Sequence, residues 1–503
     1  MLSVAEPLDL EAISTTRRNG ATRLGPDERK NLGIVALGGN EPISRLAEKN
    51  DVSRKFVYQQ KDKADSALDE AFQLAPQDND VLFQLPVTRA WLDQAVLALV
   101  LAAHAPYRGV QEVFRDLLDH EVSLGKIHDV VTNAVEKARV VNSQEDLSTI
   151  RTGAHDEIFQ GDPILVGIDP LSTYCYLLAQ EPSRDGTTWA VHLLDLAERG
   201  LALDYTVADA GKGLRAGQAE ALPGTPCRGD VFHALRELTK TTTFLDNRAY
   251  GCIGAREKLE RRMERAKKKA KGQSLSKRLA LARKQELKAI ELAADMTILA
   301  QWMREDVLAL VGPDLDTRRE LFDFLTGEMR AREDQALHRI RPLRVYLENQ
   351  RDALLAFVEE LDQRLDAVAL EHRASLEDVR AVFEQRHFAP ADPRRWQKDG
   401  ELWKRLRSSY PTIRDAIDEI AQTTVRASSM AENYNSRLRS YFSLRRQVGP
   451  QYLDLLRFFL NHRRYPRSRV KSRVGRSPAE ILKGEPLPHW LEQLGFTLLR
   501  RAS

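Results

Sequence analysis

Apolar positions recur along this chain with two periods, and the switches between them divide it. Near the N-terminus, Ile43, Leu46 and Ala47, then Val52, then Phe56 and Val57 fit two short helices joined by a turn at Lys49-Asn50-Asp51, with Ser53 capping the second. Residues 91–101 read as a buried helix. Residues 106–111 open another, and residues 122–128 look like a cap followed by a third, with Ile127, Val130 and Val131 in its core. The period then changes. Residues 163–168 and 173–179 are short apolar runs rich in β-branched and aromatic side chains, predicting two adjacent strands. Residues 189–199 predict a helix ended by Gly200, residues 203–208 a strand ending at Asp209, and residues 225–233 a short strand running into a helix. From residue 235 to 424 nearly everything has helical spacing. Residues 257–288 suggest an antiparallel hairpin turning near Gly272-Gln273-Ser274, and residues 388–393 are the clearest loop. Met430, Tyr434, Leu438 and Tyr441 return to helical spacing behind Ser428 and Ser429.

The pattern predicts a mainly α protein with an α/β core and a long, almost all-helical stretch behind its strands. Its expected divisions are 1–75 and 76–158, two helical units of similar build; 159–234, the first part of the core; 235–424, the insertion; and 425–503, the rest of the core with a basic tail. Residues 1–30 are mixed in character and expected to be poorly ordered.

Composition narrows the function classes. Three cysteines, Cys175, Cys227 and Cys252, without a CxxC spacing argue for a reducing compartment and against a disulfide framework. The longest apolar run is far too short to cross a bilayer, so a cytoplasmic, nucleoid-associated protein without membrane contact is expected. Net charge is +3, but unevenly spread. From Asn433 onward fifteen Lys/Arg face four Asp/Glu, a local +11 that leaves −8 for the remainder. A basic block of that strength points to a nucleic-acid contact. Arg463, Arg464, Arg467, Arg469, Lys471 and Arg473 crowd its centre and suit phosphates; packing of residues 461–481 into the core is the competing reading.

Candidate chemistry lies at the ends of the predicted strands. Asp169 and Asp209 each close a strand, where an open α/β sheet presents its ligands, and the forty residues between them allow neighbouring strands with converging side chains. Glu432, on the helix at residues 429–442, would complete a cage of three hard oxygen ligands suited to Mg²⁺ or Mn²⁺, two ions in all. Around it stand the carboxamides Asn433 and Asn435 and the guanidiniums Arg437 and Arg439. A zinc site of Cys227, Asp230 and His233 lacks a fourth ligand nearby.

The segments LVGID at Asp169, VADAGKGL at Asp209, DVFH from Asp230 to His233, and SSMAENYNSRLR at Glu432 together resemble the DDE transposases of bacterial insertion sequences. The likeness spans residues 160–245 and 425–485 and the N-terminal helix pair, which resembles a helix-turn-helix. It implies an RNase H-like core whose mixed sheet is interrupted by a large helical insertion, with Asp169, Asp209 and Glu432 as catalytic metal-binding triad, Asp230 and Asn433 in support, and His233 near DNA. It further implies cleavage and strand transfer of double-stranded DNA, element ends and target alike, by a homodimer or higher oligomer. Arg54, Lys55, Tyr58, Gln59 and Lys61, with Gln60 between them, would be the exposed reading face of the second short helix. An inactive, domesticated DNA-binding relative and a coiled-coil scaffold protein are the alternatives.

Overall fold

A computed structural model describes residues 24–72, 85–267, 273–444 and 449–499. The chain divides into two compact units, residues 1–87 and 88–503.

Three helices make the described part of the first unit: α1 (Pro26–Gly38), α2 (Ile43–Lys49) and α3 (Arg54–Phe72). Pro26 opens α1, where its missing N–H costs nothing, so residues 26–30 of the stretch expected to be poorly ordered are helical. Leu32, Ala36, Leu46, Ala47 and Val57 form a small core. Ser53 accepts from the Phe56 N–H at 3.1 Å and starts α3 as its sequence predicts. At Gly33 a Cβ would stand 2.6 Å from the Gln60 carbonyl, so glycine is what lets α1 and α3 approach. That contact corrects the expected reading face. Gln60 is buried, Lys61 is half-buried, and Arg54, Lys55, Tyr58 and Gln59 face solvent.

The second unit is mainly α around one five-stranded sheet: β1 (Thr152–Gln160), β2 (Asp162–Ile168), β3 (Cys175–Gln180), β4 (Tyr205–Ala208) and β5 (Cys227–Gly229). The order is β3-β2-β1-β4-β5. β1 and β2 are antiparallel, as are β2 and β3, whereas β4 runs parallel to β1 and β5 parallel to β4. Gly161, at φ 79°, turns β1 into β2. The helices Gly186–Glu198 and Lys212–Ala221 supply the crossovers that parallel neighbours require.

β2 alternates between two cores, which is why its sequence is apolar from Pro163 onward. Leu165 points to the face covered by Trp189, Leu193, Leu196 and Leu214. Ile164, Val166 and Ile168 point to the other, with Ala154 and Ile158 of β1, and are covered by the helices Leu124–Gln144, Ser429–Phe442 and Pro450–His462. That same core contains Val96, Leu97, Leu101, Phe114, Ile127, Val130 and Val131. From Thr88 on, the region expected as a second helical unit is therefore part of the body that carries the sheet. Its third helix, Leu124–Gln144, capped by Ser123 as expected, buries its apolar stripe against Pro450–His462.

The stretch expected to be helical, 235–424, is mostly so among the described residues, from Val231–Lys267 through Gln273–Trp302, Leu315–Arg332 and Leu337–Glu371 to Tyr410–Thr423. The first two pack side by side and are tied by Arg256 to Glu286 and Arg283 to Glu260. Gly272, in the predicted turn, lies outside the described residues, and Gln273 already begins the second helix. The basic tail belongs to the body. Asn461 is fully buried, and its side chain accepts from the Cys175 N–H at 2.8 Å and donates to the Cys175 carbonyl at 2.9 Å, acting as a partner for the outer edge of β3. Ser477, Ala479 and Glu480 are buried too.

Candidate active site

Strand register builds the site. His155 of β1 is level with Ala208 of β4, and Ala208 with Gly229 of β5. The next residue on each strand is Asp156, Asp209 and Asp230, so three carboxylates form one row across three parallel neighbours, roughly 4.8 Å apart per step. Asp156 shares its face of β1 with Ala154 and Ile158, which pack against Ala431, Tyr434 and Leu438 of the helix Ser429–Phe442. That helix brings Glu432 and, one turn on, Asn435 over the row. The Asn435 Nδ2 donates to Asp156 Oδ2 at 2.7 Å.

Asp230 is the clip that sets the height of this helix. It is buried; its Oδ1 accepts from Phe232 N–H at 2.8 Å and from Ser428 N–H at 3.2 Å, and Ser428 Oγ donates to its Oδ2. Ser428 thus stands at the helix start but spends its hydroxyl on Asp230 rather than on the helix N–H groups. Val231 N–H adds a bond to the Arg426 carbonyl at 3.1 Å. Two segments nearly two hundred residues apart are fixed together immediately before Glu432.

Negative charge accumulates here. Burial foremost, then the carboxylates of Glu432, Asp209 and Asp230, push the Asp156 carboxyl up to about 7, against one backbone N–H bond that favours ionisation. Arg236, on the helix Val231–Lys267, meets the excess by pairing with Glu432 at 2.7 Å. Its Nη2 lies 3.1 Å from His233 Nδ1, and its buried Nε has no partner. Asp209 Oδ1 accepts from Gly211 N–H at 2.8 Å.

Asp169 is elsewhere, which corrects the expected geometry. β1 separates β2 from β4, so Asp169 and Asp209 do not sit on neighbouring strands. Ile168 pairs with Ala154, which puts Asp169 about 10 Å along the sheet from Asp156. There it is buried in the β2–β3 turn, accepting from Leu171 N–H at 3.2 Å, Ser172 N–H at 2.9 Å and Ser172 Oγ. Asn433 is exposed, and its neighbour Asn435 is the carboxamide that reaches a carboxylate. Among the described residues, no group of three His, Cys, Asp or Glu is close enough to hold a metal ion, the zinc reading at Cys227, Asp230 and His233 included. Arg236 already pairs with Glu432, and the Ser428 hydroxyl with Asp230.

The basic residues divide. Arg464 grips Glu480 at 2.6 Å, Arg473 donates to the Leu171 carbonyl at 2.9 Å, and Arg476 to the Glu480 carbonyl at 2.7 Å. Arg473 thus ties the tail to the turn after β2, whereas Arg464 and Arg476 brace the tail on itself through Glu480. Arg437 lies over the Tyr434 and Tyr465 rings and Arg463 over Phe459. Arg439, Arg467, Arg469 and Lys471 are exposed and make no ion pair with a described residue. No protein-family model matches the chain, and no curated protein matches it significantly.

Asp156 and Arg236 escaped the sequence reading, and Asn435 entered it only as a carboxamide beside Glu432. A signal for the first existed: Gly161-Asp162 immediately before the β2 run marks a hairpin turn, which demands a strand on its upstream side.

Proposed function

We propose that this chain is a DNA transposase of the DDE type with an RNase H-like core, and that its catalytic carboxylates are Asp156, Asp209 and Glu432. The observation that carries the reading is the row of Asp156 and Asp209 on neighbouring parallel strands with Glu432 held over it from a helix 223 residues beyond Asp209. Supporting it are the mixed sheet, three antiparallel strands continued by two parallel ones, and the helical segment inserted between β5 and the Glu432 helix.

The donor set fits a divalent cation in composition. A carboxyl raised by burial and by its anionic neighbours is one that a bound cation would favour in the ionised form. Asp156 and Asp209 would hold Mg²⁺ or Mn²⁺, with Glu432 joining once Arg236 lets it go. Such ions, when bound, supply charge stabilisation for displacement at a phosphodiester. The chain's own residues do the rest. Asn435 orients Asp156, Asp230 and Ser428 fix the start of the Glu432 helix, and Arg236, released, is left facing the phosphate backbone. Double-stranded DNA is the proposed substrate. Arg54, Lys55, Tyr58 and Gln59 of α3 would read element ends, and Arg439, Arg467, Arg469 and Lys471 would contact phosphates without reading sequence. Action as a homodimer or larger assembly on DNA belongs to the same proposal.

The Arg236–Glu432 pair also favours a second reading, an inactive DNA-binding relative whose third carboxylate is permanently neutralised. Strand transfer with Mg²⁺ on DNA carrying the flanks of this reading frame separates the two. Asp156→Ala, Asp209→Ala and Glu432→Gln should each abolish joined product while leaving DNA binding intact. A wild-type chain that binds DNA but joins none would favour the inactive reading. Full activity in Asp156→Ala would refute the assignment.

A further inference from the structure

Beyond the carboxylate row, the helix Val231–Lys267 turns a stripe that includes exposed aromatic and cationic side chains toward solvent. Phe232, Leu235, Arg236, Thr239, Lys240, Thr243, Phe244 and Asn247 recur at intervals of three and four and, with Arg339, line an open groove of about 760 Å³. Phe232 and Phe244 are both exposed, at 39%, on a helix that has a full hydrophobic core on its other side. The groove lining contains three cations and no acid. Arg236 reaches out of it to Glu432 and Lys240 to Glu237, and Arg339 lies over the Phe244 ring at 4.5 Å. Exposed aromatic faces alternating with cations suit one ligand chemistry: bases that stack on the rings and phosphates that meet the guanidinium and ammonium groups. Duplex DNA hides its base faces, so the rings would be idle against it. Phe232 and Phe244 are twelve residues apart, about 18 Å along the helix axis, a reach of roughly four nucleotides of extended strand.

We propose that this groove binds single-stranded DNA and delivers it to the carboxylate row, with Arg236 at the junction exchanging Glu432 for a phosphate. The buried, unpartnered Nε of Arg236 is consistent with a side chain whose final partner is absent. The inference rests on the nucleic-acid reading of the site and adds the strand state of the ligand and the surface that receives it.

The experiment is binding of the full chain to a fluorescent dT12 oligonucleotide and to a random 20-base-pair duplex, in EDTA so that chemistry plays no part. Phe244→Ala should weaken dT12 binding about tenfold, and Phe244→Ala with Arg339→Ala further, while duplex affinity changes less than twofold. Phe244→Trp should retain dT12 binding, and melting curves should match wild type because the ring is exposed. An unchanged dT12 affinity in Phe244→Ala, or equal losses for dT12 and duplex, would overturn the groove. Because strand transfer is not the readout, a chain without transposase activity can still pass this test, and a transposase can still fail it.

Discussion

Neutralising the first carboxylate should stabilise this protein while disabling it, and neutralising Asp169 should do the opposite. Asp156 has its carboxyl pushed up from 3.8 to about 7 by burial and by Glu432, Asp209 and Asp230. For an acid raised in the folded state, folding binds extra protons between the two values, so stability falls as pH rises from about 4 to about 7 and stays low above. A shift of about three units corresponds to at most ~4 kcal/mol of lost stability at pH 8 without divalent ions. Asp156→Asn removes the charge and leaves an oxygen for Asn435, so at pH 8 in EDTA it should recover about 2–4 kcal/mol, and at pH 5 almost none. Asp169→Ala instead strips the acceptor from two backbone N–H groups and the Ser172 hydroxyl, at a cost of about 2–4 kcal/mol at either pH. Urea unfolding followed by tryptophan fluorescence reads both. Added Mg²⁺ should stabilise wild type and lose most of that effect in Asp156→Asn. An Asp156→Asn chain that is less stable than wild type at pH 8, or that gains as much from Mg²⁺, would show that no carboxylate crowding exists at this position.

Two other outcomes concern the C-terminal segment. Asn461→Ala leaves the Cys175 N–H and carbonyl buried and unpaired and should lower stability by about 2–4 kcal/mol in the same assay; a loss under ~1 kcal/mol would mean that β3 does not depend on it. Glu480 is opposed by burial, yet Arg464 and the Leu487 and Ser477 N–H groups outweigh it and bring its carboxyl down from 4.5 to about 2. A depressed acid stabilises above its unfolded value, so Glu480→Gln should cost roughly 3 kcal/mol at pH 7, and the difference should shrink as pH falls from ~4.5 toward ~2. A difference independent of pH would refute the ion pair as its source.

Local pattern alone specified much of this molecule. The apolar runs placed β2, β3, β4 and β5, the helical insertion and the helix of Glu432, because period and turn residues act over a few positions. Asp209 and Glu432 were legible for the same reason, each at the end or first turn of an element with a clear signal. β1 was not. Thr152, Gly153, His155 and Asp156 give its first half no apolar alternation, since its inward positions include the site itself and a histidine bonded to Tyr176. With β1 unread, the strand ending at Asp169 looked adjacent to β4. Only the pairing of β1 between β2 and β4 shows that Asp156 stands in the row and Asp169 in a turn. The tail's charges were equally visible, but whether an arginine meets a phosphate or Glu480 is set by what folds beside it. Strand order, register and ion-pair partners are contacts between residues far apart in sequence, and no local period encodes them.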